Sequence, residues 1–243
     1  KKSSLARLLR ALEGSARLMA KPVWIRCLYA YPRGLTQEVV EVLAEAKFIV
    51  PYLDMPLQHI SDSMLRAMRR GKGGEPTKVL LRKLKERIPH LILRTTFIAG
   101  MPGETEADFE ELYDFCEDFR FERMGVFTYS REEDTPAAQM GHQVPCDIAE
   151  HRRDRLMALQ KEISNEQQQS LIGQKIEVLV EGVSEETELL LQGRHKGQAP
   201  DIDGLTYITE GVASPGDVVW VKIEEASDYD IAGPIVARPN NLL

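Results

Sequence analysis

The chain has 243 residues, 43% of them hydrophobic, enough for a sizeable core and for two unequal domains rather than one. No apolar run approaches the roughly 20 residues needed to span a bilayer, and the opening Lys1, Lys2, Ser3 and Ser4 lead into no secretory apolar region, so a cytoplasmic protein without membrane attachment is expected. The net charge of −7 is unevenly spread: residues 171–237 carry four basic and thirteen acidic side chains, a net −9 that leaves the rest near +2 and argues against a phosphate-gripping surface in the last quarter.

Residues 23–31 are rich in β-formers, and 36–47 follow with Val39, Val40, Leu43 and Ala44 at helical spacing. A strand is expected over 48–53. Helices near 61–70 and 77–88 come next, separated by the breaker Gly71, Lys72, Gly73 and Gly74. An apolar, β-branched strand over 91–99, a helix over 105–119 and a strand over 123–129 complete the alternation, which predicts an α/β fold, an incomplete βα barrel with helices outside a parallel sheet. Thr105 with Asp108 makes a capping-box start for the 105–119 helix. Asp147 with Glu150 repeats that logic for a connecting helix that runs to about Ile172, spans roughly 39 Å and closes at Gly173. Beyond it, short strands at 175–180, 189–191, 218–223 and 231–236 suggest a small all-β barrel, closure being the way to remove exposed strand edges. The expected division is therefore 1–146, 147–172 and 173–243. Cys27, Cys116 and Cys146 have no metal or redox spacing and read as buried apolar thiols, Cys116 sharing a helical face with Phe109, Leu112, Tyr113 and Phe119.

Ligands of βα barrels gather at the C-terminal ends of the strands, and three such ends carry unusual polar residues. After Asp54 come Gln58, His59 and Ser61, able to meet a ribose or carboxylate, or to form a turn with Ser61 or Asp62 as helix cap. The second end holds Arg94 within the strand and Gly100, Met101, Pro102, Gly103 and Glu104 after it. Glycines let a backbone approach a ligand, a helix N-terminus favours an anion, and the arginine must pair with a buried acid or face the ligand, the second being preferred. At the third end, Phe127, Tyr129 and Ser130 suit an adenine face, with Phe127 as a core residue the alternative.

These segments in this order, Pro56-Leu57-Gln58-His59 with Ser61, Met68 to Arg70, residues 96–105 and Tyr129-Ser130 with residues 135–138, resemble the methylthiotransferase branch of the radical S-adenosylmethionine enzymes. The resemblance extends over nearly the whole chain and implies a partial TIM-like radical SAM barrel followed by an OB-like TRAM domain. It implies S-adenosylmethionine as cofactor, held by Gln58, Ser61, Arg94, the residues Gly100, Met101, Pro102, Gly103 and Glu104, and Tyr129 with Ser130. It also implies two four-iron four-sulfur clusters in the full-length enzyme. The family's three-cysteine cluster motif is absent, so the cluster ligands are expected outside this chain, which reads as a C-terminal fragment inactive by itself. No metal ligand and no proton-transfer catalyst is assigned, and His59 reads as structural.

Two branches of the family compete, one acting on adenosine in tRNA, the other on an aspartate β-carbon of a small-subunit ribosomal protein. Residues 52–59, 93–97 and 228–230 resemble the second. The acidic last domain favours it on separate grounds, because a basic ribosomal protein is attracted where tRNA is repelled, and Glu185, Glu186 and Glu188 are the expected docking acids. A non-catalytic binding module bearing a TRAM domain is the reading from another class.

Overall fold

The computed structural model describes residues 4–19, 23–71 and 73–238; Lys1, Lys2 and Ser3 of the opening and Lys72 of the breaker lie outside them. The first part alternates as expected: α1 (Leu5–Ala16), β1 (Ile25–Cys27), α2 (Gln37–Glu45), β2 (Ile49–Asp54), α3 (Asp62–Ala67), α4 (Gly74–Arg87), β3 (Ile92–Ala99), α5 (Glu106–Phe119), β4 (Arg123–Thr128) and α6 (Cys146–Gln169). The four strands form one parallel sheet in the order β1-β2-β3-β4, so each crossover is a βα unit and every strand ends at the same edge.

Period-two alternation divides the sheet into two faces. Ile49, Leu53, Leu93, Phe97, Ala99, Met124 and Val126 point into the main core, where Leu9, Val40, Leu84, Phe109, Leu112 and Leu156 from five helices meet them. The alternate set, which includes Tyr52, Asp54, Arg94, Thr96, Arg123 and Phe127, lines the concave face. Phe127 is no core residue; it is 64% exposed there.

Several boundaries differ from expectation for local reasons. The 23–31 segment keeps only three strand residues because Tyr29 takes a left-handed φ of 56°, its N–H donating to Asp54 Oδ2 at 3.1 Å. The 61–70 helix stops at Ala67, before Arg69 with φ 53°. Helix α4 starts earlier than expected, at Gly74, whose N–H donates to Asp62 Oδ1. Thr105 and Asp108 make the full capping box. Asp147 does not cap α6, which begins one residue earlier behind Pro145, a residue suited to a helix start, and leaves Asp147 in the first turn. Helix α6 is also more than a spacer, since Leu156, Leu159 and Ile163 belong to the main core. Only Cys116 of the three cysteines is buried, and burial pushes its thiol up; Cys146 is exposed.

The last part holds β5 (Lys175–Val183), β6 (Leu191–His195), β7 (Thr206–Ile208), β8 (Val218–Lys222), β9 (Glu225–Ala226), β10 (Ile231–Gly233) and β11 (Ile235–Ala237). The expected 189–191 strand lies further on, at Leu191–His195, and Pro234 splits the expected 231–236 strand. β7 and β9 are additional, too short to show a period of two. Sheet order is β11-β8-β5-β6-β7-β10-β9, with β10 parallel to β7 and the other pairs antiparallel. The two ends of that order are halves of one hairpin, β8–β9 against β10–β11, so the sheet curls back on itself around Val178, Val180, Val219, Val221, Ile223 and Ile231. Among the described residues no helix is long and apolar enough to cross a membrane.

Leu156, fully buried where α6 crosses the sheet, tests whether that helix is part of the barrel. Leu156→Ala should cost about 2–5 kcal/mol in urea unfolding, as a core cavity does; a cost of only a few tenths would make α6 a detachable spacer.

Candidate functional site at the strand ends

The three polar strand ends meet at one edge. Gln58 N–H donates to Thr96 O at 2.8 Å, Ile98 N–H returns to Gln58 O at 2.9 Å, and Tyr129 N–H donates to Ala99 O at 2.8 Å, so the segments after β2 and β4 are each bonded to the C-terminal half of β3 between them. Gln58 reaches this position with a left-handed φ of 72°, and its side-chain amide makes no hydrogen bond to the described residues. Tyr129 is half-buried and its Oη, shielded from solvent, also has no partner among them. Ser130 is exposed and donates to Glu132 Oε1 at 3.0 Å.

Arg94 lies directly opposite Asp54 in the β2–β3 register and donates from Nη1 to Asp54 Oδ1 at 3.0 Å. Of the two expectations for this cation, an acid partner is therefore present. The Arg94 side chain nevertheless stays 19% exposed on the concave face, and Nη1 is its one atom bonded to a described residue. Asp54, almost fully buried, is shared between Arg94 and the Tyr29 N–H. Sequence reasoning placed Asp54 in a motif without a role; its function is to hold both neighbours.

The 100–104 turn differs from expectation in chemistry. Glu104 Oε2 takes the Gly100 N–H at 2.9 Å and lies 3.4 Å from the Met101 nitrogen, while the Gly103 N–H donates to His142 O at 2.9 Å. Asp108 occupies the start of α5 through the capping box. The anions that turn and helix start accept are thus the protein's own, and Met101, Pro102 and Glu104 are buried. Gly100, at φ +80°, makes its close approach to helix α6: a Cβ there would stand 2.3 Å from that of Ala149. Glu104 also receives Arg152 Nη1 at 2.8 Å. Burial raises the Glu104 carboxyl, and Arg152 with the two backbone donors pulls it back only partly. Arg152 was not legible as a site residue, because nothing marks one arginine among several on a long helix.

Ser61 is also a supporting group. Its backbone is the N-cap of α3, but its hydroxyl bonds Ser63 and Asp108 instead of capping. Burial opposes charge on Asp108, yet hydrogen bonds from Ser61, Ser63 and Thr105 outweigh it and hold the carboxyl well below the usual range. His59 is fully buried, with Nδ1 accepting from Ser61 N–H at 3.0 Å and Nε2 3.8 Å from Glu104 Oε2. Burial first, with Arg152 adding and Asp108 opposing, lowers its pKa to about 4, so near neutral pH it is an uncharged structural imidazole. A cleft of about 400 Å³ lies elsewhere, between α1 and α2 beside Arg10, Glu13 and Arg17. Glu13 there is occupied by the N–H groups of Lys47, Phe48 and Ile49.

Glu185, Glu186 and Glu188 lie together on the exposed β5–β6 loop. Among the described residues they make no ion pair, whereas Glu177, Glu181 and Glu224 are neutralised by Lys196, Arg194 and Lys222. No group of three or more His, Cys, Asp or Glu among the described residues is arranged to hold a metal ion.

Residues 4–116 match the radical SAM superfamily and residues 172–236 the TRAM domain. The chain is 58% identical over 215 residues to "Ribosomal protein uS12 methylthiotransferase RimO" of Anaeromyxobacter sp. (strain K), covering 88% of this chain and 46% of that protein. The protein of the same name from Myxococcus xanthus is 52% identical, with 89% of this chain and 46% of the relative covered. That from Bdellovibrio bacteriovorus is 44% identical, over 98% and 51%. The chain spans about half the length of the curated relatives it matches.

The buried imidazoles predict a pH dependence. His59 and, in the second barrel, His195 have folded pKa values of about 4 and about 3, below the ordinary 6.5, so below pH 6.5 the unfolded chain takes up protons that the folded chain refuses. Stability is therefore fully present above about pH 6.5 and declines as pH falls toward 4; the raised Glu104 acts in the opposite sense and is outnumbered. Melting followed from pH 7 to 4.5 should show this decline, and a His59→Asn, His195→Asn variant should flatten it. An equally steep decline in that variant would assign it to other groups.

Proposed function

We propose, for a chain that belongs to the radical S-adenosylmethionine methylthiotransferase family, that it forms the cofactor wall and the substrate-docking domain of an enzyme adding a methylthio group to an aspartate β-carbon of a small-subunit ribosomal protein. One observation carries the reading: the polar segments that follow β2 and β4 are both hydrogen-bonded to the end of β3, beside a concave face on which Arg94 presents a partly open side chain. Residues 1–146 are the barrel part, 147–172 the joining helix and 173–243 the TRAM domain in this reading, and the protein acts in the cytoplasm.

The superfamily uses S-adenosylmethionine with iron–sulfur chemistry; two four-iron four-sulfur clusters, ligated by residues outside this chain, are part of the proposal. The residues present fit the cofactor, because the Gln58 amide, the Tyr129 Oη and the free edge of Arg94 are polar groups left without protein partners around one mouth. Gln58 and Arg94 would hold the ribose and amino-acid portions, and Tyr129 with Ser130 the adenine side. Gly100, Met101, Pro102, Gly103, Glu104 and Ser61 would shape and stiffen that wall, their own polar groups being engaged within the protein. When bound, the group supplies hydrogen-abstracting radical chemistry and the methyl of the methylthio unit. The chain's residues orient it and keep water from the concave face.

Arg94→Lys keeps a cation for Asp54 and removes the guanidinium fork. In the full-length enzyme it should weaken S-adenosylmethionine binding about tenfold or more, the loss of one charge-assisted hydrogen bond of ~1.5–3 kcal/mol, with the melting temperature little changed. Unaltered affinity would remove Arg94 from the cofactor wall.

The unpaired Glu185, Glu186 and Glu188 support docking of a basic ribosomal protein over tRNA. Reversal of all three to lysine should slow association with that partner at low salt by about tenfold or more, with the difference fading as salt rises. Unchanged association, or tRNA bound more tightly than the basic protein by the unaltered chain, would transfer docking to another surface.

A further inference from the structure

The concave face is closed at its lower end by the second barrel. Arg26 Nη2 donates to Lys196 O at 2.9 Å and Gln198 O at 2.8 Å, and its guanidinium stacks over Tyr52 at 4.8 Å. Tyr52 Oη donates to Asp203 Oδ2 at 2.7 Å, and Arg123 Nε stands 3.9 Å from Asp203 Oδ1. Ala199 is buried against Val50 and Tyr52, with Trp24 and Ile92 beside them, and Lys196 Nζ lies 5.7 Å above the Trp24 ring. A second attachment joins the end of α6 to the β9–β10 turn: Ser164 donates to Asp228 O, Asn165 to Asp228 Oδ1, and Gln169 to Ala226 O. Two separate patches cannot be satisfied by a tethered, swinging domain, so the second barrel is seated in one place.

Charge gives this seat a further consequence. Asp54, Arg94 and Arg123 are register partners in one row across β2, β3 and β4, which places Arg94 between a buried carboxylate and a second arginine. Asp203, its side chain only 3% exposed, stands within reach of Arg123 from below. Its other oxygen is fixed by Tyr52 and the Ala199 N–H. Arg123 Nη1 donates to Glu122 O at 2.9 Å and its Nε faces Asp203, so Asp203 offsets the like charge that stands next to Arg94 in the row. Burial, then Arg123 and Arg26, keep His195 uncharged, so it adds no competing cation.

We propose that the second domain completes the reaction chamber: residues 196–203 are its floor, and Asp203 is a positioning residue that offsets the charge of Arg123 and so keeps that cation from displacing its neighbour Arg94. The inference rests on the reading of the concave face as the cofactor and substrate chamber. It makes the TRAM domain part of that chamber in addition to a docking surface, covering the end opposite the strand-end mouth.

Trp24 reports on the floor, and Trp220→Phe silences the other tryptophan. In that background Asp203→Ala should shift Trp24 emission to longer wavelength and increase its quenching by acrylamide. Hydrogen exchange of the β2 amides should rise in the same variant. Tyr52→Phe, which removes a single hydrogen bond, should do the same to a smaller degree and guards against a folding defect. In the full-length enzyme carrying its clusters, Asp203→Ala should lower turnover about tenfold or more, as misplacement of a chamber wall does. Asp203→Asn keeps an acceptor for Tyr52 without a charge for Arg123, so it should restore the Trp24 signal but not the turnover. Trp24 unchanged in both Asp203→Ala and Tyr52→Phe overturns the floor. Full recovery of turnover by asparagine overturns the charge role. Normal turnover with the floor unseated overturns the chamber role, and leaves the proposed function standing on the Arg94→Lys affinity.

Discussion

Parallel registration of β2, β3 and β4 places every side chain that matters here. Because Asp54 lies opposite Arg94 and Arg94 opposite Arg123, a row of charge crosses the concave face at one height. Because all strands point the same way, the segments that follow them emerge at one edge, where those after β2 and β4 bond to the end of β3 through Gln58 and Tyr129. Had one strand run antiparallel, one of those segments would lie some 20 Å away at the other edge, a strand's length at about 3.3 Å per residue. The register in turn depends on the opposite face, where Leu93, Phe97, Met124 and Val126 are sealed by the helices; a slip of one residue would bury Arg94 and expose Phe97.

Helix α6 ties this arrangement to the second barrel. Its first half clamps the 100–104 turn through Arg152 and Ala149, its middle packs on the sheet, and its last turns bond the 226–228 segment. The 24-residue helix spans about 36 Å, so one rigid element fixes the height of the strand-end mouth relative to the barrel below. Glu104 shows the same economy: one buried carboxylate satisfies two backbone groups of the turn and one arginine of the helix. That explains why a buried charge is tolerated at this position.

The acidic character of the last domain divides into two populations. Glu177, Glu181 and Glu224 are paired with neighbouring cations, while Glu185, Glu186 and Glu188 make no ion pair among the described residues and lie on one loop. Asp203 belongs to neither; it is an interior acid turned toward the first domain. The raw count of thirteen acids therefore overstates the uncompensated charge of this domain.

Local order was legible from the chain alone wherever it is decided locally. Helix and strand alternation, the Thr105–Asp108 capping box and the Gly100 turn depend on residues within a few positions of each other, so periodicity and cap chemistry identify them. The position of the polar segments at the strand ends was legible in the same way, and ordered motifs pointed to the family. What needed the tertiary structure were pairings across long separations. Arg94 could equally have met a ligand or an acid until Asp54 appeared opposite it. The free-looking N–H groups of the 100–104 turn proved to be taken by Glu104 and His142. Arg152, Tyr52, Arg123 and Asp203 had no signal at all, because a contact over 151 residues, such as Tyr52 to Asp203, leaves no periodic trace in either segment. Short-range sterics and hydrogen bonding are written in neighbouring residues, whereas which buried charge neutralises which is settled only when the sheet, α6 and the second barrel close around one another.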